Sequence, residues 1–260
     1  MLPPSTTRAP GVRSRWPDPA RDLLLGGRCV GCGAGGRVLC RACVERLPGE
    51  ARRRSPVPCP AGLPPSWSTG VHEGPLRAAL LAHKEDDAAS LTPVLGALLA
   101  HAVRAALAAD PTADPTVAPV LLVPVPSRWR NRRARGRDPL GEVVADAARR
   151  LAGTGRAVRV APLLRLRPGV HDQAGLDRTG RAANLHGAMA VRPAVLRRVA
   201  RRHPGPVRVL LCDDVLTTGS TAVEAVRALA ATGVVVGAVV TVSATARRST
   251  HRPGAGASAG

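Results

Sequence analysis

Two adjacent carboxylates precede a cluster of small hydroxyl residues in the last quarter of the chain. The run is Asp213-Asp214-Val215-Leu216-Thr217-Thr218-Gly219-Ser220-Thr221. A turn rich in Gly, Ser and Thr at a helix N-terminus binds anions, because unpaired N–H groups point out of the helix there. Carboxylates instead accept hydrogen bonds from sugar hydroxyls or bind a metal ion. We therefore expect residues 217–221 to bind a phosphate and Asp213 and Asp214 to bind a ribose, which together describe a 5-phosphoribosyl ligand.

The flanking sequence predicts the elements that position this run. Residues 209–211 form a short aliphatic stretch, as in a buried parallel strand. A helical pattern follows from about residue 222 to 231, and Gly233 stands where a left-handed helix end is favoured. The alternatives are a Rossmann-like turn that holds some other phosphate, or a strand that ends in a capping Asp.

Strands and helices alternate along the rest of the chain. Helices are predicted at 74–84, 91–109 and 139–151, and strands at 120–126, 157–166 and 234–242. This alternation predicts an α/β fold with a mainly parallel, Rossmann-type sheet. The length of 260 residues suffices for one such domain and a small accessory module.

Two Cys-x-x-Cys pairs near the start of the chain have metal-ligand spacing. They are Cys29 with Cys32 and Cys40 with Cys43, separated by seven residues. Two such pairs predict a tetrahedral zinc site, and four thiolates would leave no open position, so the zinc would be structural. The alternatives are disulfides, which a reducing compartment disfavours, and a redox pair, which the second nearby pair disfavours.

Basic residues are concentrated after the predicted strand 120–126. Six arginines stand between Arg128 and Arg137, and guanidinium groups suit phosphate oxygens. The alternatives are a solvated basic loop or a patch that binds a nucleic-acid backbone.

Lys84, the one lysine, ends the predicted helix 74–84 and is either a cation that reaches a phosphate or a solvated helix end. His83 and His101 are expected to be ordinary helix-surface residues.

A polar segment at residues 169–189 is long for a compact domain, and such segments are usually functional. It contains Gln173, Arg181 and Asn184. Arg181 and Asn184 are three positions apart and would share a helix face. Local backbone capping is the alternative role for Gln173 and Asn184.

The run at 213–221 resembles the phosphoribosyl-pyrophosphate (PRPP) fingerprint of type I phosphoribosyltransferases. The resemblance extends to the ComF family, which is associated with bacterial DNA uptake, over about residues 23–247. Three further features carry it: the cysteine pairs, Val-Pro-Val-Pro at 123–126 with the basic run after it, and the pattern of Gln173, Arg181 and Asn184. Two departures stand out. Family members follow Arg-Gly with Phe-Asn-Gln, where this chain has Arg137-Asp138-Pro139, and they often have a second cysteine knuckle, of which Cys59 alone remains.

The resemblance implies a type I phosphoribosyltransferase-like fold that binds PRPP with Mg²⁺. Pyrophosphate would face Arg128, Arg135, Gly136 and Lys84, and the loop with Gln173, Arg181 and Asn184 would close over the ligand. A phosphoribosyl group would be transferred with release of pyrophosphate, with Asp213 and Asp214 as the catalytic residues. The alternative is a non-catalytic PRPP sensor or a DNA-processing accessory protein. DNA or competence proteins are the implied partners, and a homodimer is open.

The composition limits the partners and the location that we expect for the protein. The net charge of +20 indicates either a polyanion partner or a biased coding sequence, and the absence of Phe and Tyr disfavours base-stacking surfaces. Neither a secretory signal nor a membrane-length apolar run is predicted, so we expect a cytoplasmic protein without membrane contact. The expected organisation is a disordered 1–22, a zinc knuckle and linker at 23–70, a phosphoribosyltransferase-like domain at 71–247 and a disordered 248–260.

Overall fold

A six-stranded sheet forms the centre of the protein. The computed structural model describes residues 27–110, 118–126, 136–153, 157–167 and 186–246. The strands within these ranges are β1 (Arg52–Arg53), β2 (Ser66–Val71), β3 (Val120–Pro124), β4 (Val158–Val160), β5 (Leu164–Leu166), β6 (Met189–Val191), β7 (Arg208–Leu216) and β8 (Val236–Ala244). The main sheet has the order β1-β2-β8-β7-β3-β4, while β5 and β6 form a separate antiparallel pair.

The main sheet is parallel except at one edge. β1 pairs antiparallel with β2, and the four other pairings are parallel. The inner strands are aliphatic and buried, as both faces of a parallel sheet must be. The predicted α/β class with a mostly parallel sheet is therefore confirmed.

Six α-helices lie in the described ranges: α1 (Arg41–Glu45), α2 (Gly74–Glu85), α3 (Thr92–Ala108), α4 (Pro139–Ala152), α5 (Pro193–Arg202) and α6 (Ser220–Ala230), with a short 3₁₀ turn at Ala89–Leu91. Helices α2 to α5 each have a proline in their first turn, where the missing N–H costs no hydrogen bond. Asp138 caps α4 by accepting from the Gly141 N–H at 3.3 Å.

Helix α3 is the most apolar helix of the described chain. The stretch Ala89–Ala108 is long and apolar enough to cross a bilayer, but 61% of its most apolar window is buried inside the fold. α3 contacts α4, β2 and β8, and the Thr69 hydroxyl donates to the Leu98 carbonyl at 2.6 Å. These are the contacts of a core helix in a globular protein.

Two predictions about strands are wrong. Within the zinc knuckle and linker expected at 23–70, residues 48–70 were expected to form a linker or irregular loop, but Ser66–Val71 is a strand that pairs with β8 inside the main sheet. The single strand expected at 157–166 is divided into β4 and β5, which belong to different sheets. Pro162 stands between the two, and a proline cannot donate to a strand ladder.

Candidate functional site

The two carboxylates lie at the carboxyl end of the central strand. β7 extends through Asp213 and Asp214 to Leu216, so the acids belong to the strand and do not follow it as expected. Asp213 pairs in register with Thr241 of β8. In open parallel sheets ligands bind at the carboxyl ends of the strands, and this is the end at which both acids stand.

Lys84 contacts the second of these acids. Its Nζ donates to Asp214 Oδ2 at 2.9 Å, with the Lys84 side chain 52% and the Asp214 side chain 22% exposed. Burial alone would raise the pKa of Asp214, but the Lys84 charge and hydrogen bond outweigh it and hold that pKa below its usual value. The structure thus places Lys84 at the carboxylates, as an ion-pair partner.

Asp213 has the opposite electrostatics. Burial, and then repulsion from Asp214, raise the pKa of Asp213 well above its ordinary value. Its Oδ1 accepts from the Asp214 N–H at 2.9 Å. The pair therefore combines one carboxylate stabilised by an ammonium group with one carboxyl group that retains its proton to higher pH.

The hydroxyl-rich loop leads directly into a helix. Gly219 has φ of +81° and precedes α6, which begins at Ser220, two residues earlier than predicted. Thr217 and Thr218 are exposed, and the Thr218 and Ser220 hydroxyl oxygens lie 3.0 Å apart. The first turn of a helix leaves N–H groups without intrahelical acceptors. This loop can therefore offer N–H and O–H donors to an anion.

Residues 56–63, which follow the cysteine pairs in the chain, cover Gly219. A Cβ atom on Gly219 would stand 3.1 Å from Pro60, 3.2 Å from Leu63 and 3.4 Å from Pro56. The loop is therefore in close contact with residues 56–63, which belong to the stretch expected to be a linker. A side chain at position 219 would require Pro60 and Leu63 to shift by a few tenths of an ångström.

A buried polar network holds the end of α2 beside α4. Arg137 donates to Glu142 Oε1 at 3.0 Å and to His83 Nε2 at 3.0 Å, and His83 also contacts the Thr92 hydroxyl at 2.8 Å. His83 is 3% exposed, so the expectation of a surface histidine is wrong. Burial, and then the Arg137 charge, lower the pKa of His83 to about 4. Arg137, the last arginine of the basic run, is engaged in this network.

His72 is a candidate site residue that the sequence did not indicate. It follows β2, and its Nδ1 lies 3.0 Å from the buried Ser243 hydroxyl of β8. Burial, followed by the charge of Arg77, lowers the pKa of His72, and Asp214 and Lys84 also act on it. Because residues 66–71 were not recognised as a strand, nothing placed His72 at the carboxyl edge of the sheet.

The four paired cysteines converge. The sulfur atoms of Cys29, Cys32, Cys40 and Cys43 all lie within 4.8 Å of one another, and they could bind a metal ion such as zinc. All six cysteines are free thiols, and Cys59 is exposed and outside the group. Burial would raise the pKa of Cys29, but N–H donors led by Cys40 outweigh it and bring that pKa to about 6. A thiolate at neutral pH is the form that binds zinc.

The cysteine group packs against the helix that bears Lys84. A Cβ atom at Gly31 would stand 2.8 Å from Cys43 Sγ and 3.3 Å from Pro75 of α2. The module and α2 are therefore in van der Waals contact, and the absence of a side chain at Gly31 allows it.

Several predicted site residues lie outside the described residues: Arg128, Arg135, Gln173, Arg181 and Asn184. Gly136 is described and has φ of +65°, a conformation that favours glycine. The structure therefore brings together Lys84, Asp213 and Asp214 next to the loop 217–221.

No protein-family model matches the chain, and a search of curated proteins finds no match. The fold and the site thus define a mixed α/β protein with a mostly parallel sheet and a four-cysteine cluster near the N-terminus.

Proposed function

We propose that the protein binds PRPP or a related 5-phosphoribosyl ligand at the carboxyl end of β7. The observation that supports this most is the Lys84–Asp214 pair beside Asp213, directly ahead of a loop that opens a helix. The acids suit the 2- and 3-hydroxyls of a ribose, and the loop suits its 5-phosphate. The resemblance to the PRPP fingerprint agrees with both assignments.

Each group would act by binding and orientation. N–H and hydroxyl donors of residues 217–221 would hold the 5-phosphate, while ionised Asp214 would accept from one ribose hydroxyl. Asp213 would accept from the other hydroxyl, and its raised pKa would fall as the hydrogen bond formed. Placing PRPP in one orientation supplies much of the rate enhancement expected of such a site.

We further propose that the bound PRPP is a substrate. A nucleophile would form a bond to C1 of the ribose, the bond from C1 to the pyrophosphate oxygen would break, and pyrophosphate would leave with that electron pair. The ionised Asp214 would then lie close to the ribose, where its negative charge could stabilise the developing positive charge. The enzyme would then be a phosphoribosyltransferase.

Magnesium expected from the resemblance finds no dedicated ligand set among the described side chains. Asp214 is ion-paired with Lys84, and the described residues contain no group of three or more possible metal ligands that includes Asp213 or Asp214. Magnesium would therefore enter with the polyphosphate of the ligand.

The four-cysteine group, by contrast, suits zinc in a structural role, because all four positions of a tetrahedron would be filled. A structural zinc site of four thiolates agrees with the expected cytoplasmic location.

Calorimetry with PRPP and Mg²⁺, followed by a pyrophosphate-release assay with a panel of bases and amines, tests this function. We expect binding, turnover with at least one acceptor, and loss of turnover in Asp214→Asn. Asp110→Asn is the matched control, because Asp110 forms an ion pair with Arg208 at the opposite end of β7. Tight binding without turnover would support a PRPP sensor, and no binding would overturn both.

A second candidate function rests on α5. Its exposed residues Arg197, Arg198, Arg201 and Arg202 have no acidic partner in the described part of the chain, while Val195, Leu196 and Val199 pack against the core. Such a face suits the phosphates of a nucleic-acid backbone. DNA affinity that falls steeply with salt, survives Asp213→Asn and is lost when these four arginines become glutamine would support a DNA-processing accessory role. Affinity unchanged in that arginine variant would exclude α5 as the contact.

A further inference from the structure

The loop 217–221 has a neighbour on each side along the carboxyl edge of the sheet. In the order β2-β8-β7-β3, the strand β3 ends on one side of β7, and on the other side β2, two strands away, ends before His72. A ligand centred on β7 therefore has two flanks. The β3 flank is the side expected for pyrophosphate, which leaves the β2 flank for a second ligand.

His72 is fixed on the β2 flank. Its backbone N–H donates to the Ala244 carbonyl at 2.7 Å, and its Nδ1 lies 3.0 Å from the Ser243 hydroxyl. Ser243 pairs in register with Val215, the residue after Asp214. The ring is half-buried, and its Nε2 has no protein partner among the described residues. Nε2 is thus the ring nitrogen of His72 that has no hydrogen bond within the described chain.

Arg77 stands on the adjacent helix and lies seven residues before Lys84, so the two share a face of α2 about 10 Å apart along its axis. Arg77 is exposed and forms no ion pair within the described chain, including with Glu73 four residues earlier. Lys84 uses one of its three N–H donors on Asp214. The β2 flank therefore presents an exposed guanidinium and a fixed imidazole, while the Lys84 ammonium lies at Asp214 of the neighbouring β7.

We propose that His72 and Arg77 form an anion subsite on the β2 side of the ribose carboxylates, which holds a carboxylate or phosphate group of the acceptor. This inference rests on the proposed function and adds to it the chemical class of the second substrate, a nucleophile with an anionic substituent. A guanidinium beside an imidazole N–H provides directed, charge-assisted hydrogen bonds to either group.

The charges around His72 agree with this assignment. Burial and the nearby Arg77 lower the pKa of His72, with Lys84 acting in the same direction and Asp214 opposing. A bound anion would offset both cations, so the pKa of His72 rises when the subsite is filled. His72 therefore takes up protons when an anionic ligand binds in weak acid, which a neutral ligand does not cause.

The test uses pairs of acceptors that differ by one anionic group: uracil with orotate, aniline with 2-aminobenzoate, and ethanolamine with O-phosphoethanolamine. The first two pairs probe a carboxylate and the third probes a phosphate. Affinity for each is measured by calorimetry with the PRPP complex and with the free protein. We expect the anionic member of at least one pair to bind at least about tenfold more tightly, since a charge-assisted contact contributes that much.

Arg77→Gln and His72→Gln should each remove this preference and leave PRPP affinity within about threefold of the wild type. Arg104→Gln, an exposed arginine on α3, is the control and should keep the preference. Equal binding of charged and neutral members, or a preference that survives both variants, would overturn the subsite. Failure of PRPP to bind would overturn the proposed function alone, because the measurements on free protein still test His72 and Arg77.

Discussion

Lys84 Nζ lies 2.9 Å from Asp214 Oδ2, although 130 positions separate the two residues in the chain. Lys84 stands in the last turn of α2, where the helix dipole favours a cation, and Asp214 stands in the central strand. The contact therefore joins the end of a helix to the middle of the sheet. The charge of Lys84 also lowers the pKa of Asp214, so Asp214 is the acid of the pair that is ionised.

Replacing Lys84 by methionine should lower stability in a pH-dependent way. Lys84 lowers the folded-state pKa of Asp214, so the pair contributes stability above the unfolded pKa and loses it as pH falls through the folded pKa. Because Lys84 is half exposed and screened by water, we expect a loss of about 1 kcal/mol at neutral pH. Urea unfolding at several pH values would measure it, with Lys84→Arg as the control. A loss that is equal at neutral and strongly acidic pH would contradict the charge explanation.

Asp213→Asn should raise stability while it removes ligand binding. A carboxyl group whose folded pKa lies above its unfolded value binds more protons when folded, so stability falls as pH rises between the two values. An amide has no such cost, and we expect the variant to exceed the wild type in unfolding free energy at neutral pH. Functional sites commonly show this exchange of stability for binding. A variant that is less stable than the wild type at neutral pH and still binds PRPP would contradict it.

The central elements of the site could be predicted because their signals are local. The strand, loop and helix around residues 213–221 follow one another in the chain, and the four cysteines stand within fifteen positions. The strand β2 gave no such signal, since its buried residues include Ser66, Ser68 and Thr69. A hydropathy pattern cannot identify a strand whose interior positions are polar, and His72 was missed with it.

Contacts between distant residues were beyond prediction for a different reason. His83 was expected to be an ordinary helix-surface histidine. Arg137, 54 positions later, donates to His83 and is itself paired with Glu142 of α4. The same arginine was grouped with the basic run, but its side chain is 13% exposed and engaged. The partners of Arg137 are set by the tertiary fold, which brings the end of α2 close to Glu142 of α4.

Zinc binding should depend on the four paired cysteines and be independent of Cys59. We expect one zinc ion per chain in protein purified under reducing conditions, and strong loss of zinc in Cys32→Ser, whose exposed position limits damage to the core. Cys59→Ser should keep its zinc, since Cys59 lies outside the group. Elemental analysis and thermal unfolding with and without a chelator would check both. Full zinc content in Cys32→Ser would contradict the site.

Gly219→Ala should weaken phosphate binding more than its effect on stability explains. Alanine at φ of +81° costs about 1–2 kcal/mol, and its Cβ would stand 3.1 Å from Pro60 and 3.2 Å from Leu63, so either these side chains or the loop must shift slightly. Gly233→Ala is the matched control, because Gly233 has φ of +78° and nothing within 4 Å of a Cβ atom.

Both glycine variants therefore incur the same backbone strain, but only the change at position 219 displaces the donors that would face the phosphate. We expect PRPP affinity to fall at least about tenfold in Gly219→Ala, as the loss of one charge-assisted hydrogen bond would cause, and to stay unchanged in Gly233→Ala. Calorimetry and urea unfolding on the two proteins separate binding from stability. Equal affinities in the two variants would show that the backbone at Gly219 does not face the ligand, and the phosphate would then have to bind elsewhere on the carboxyl edge of the sheet.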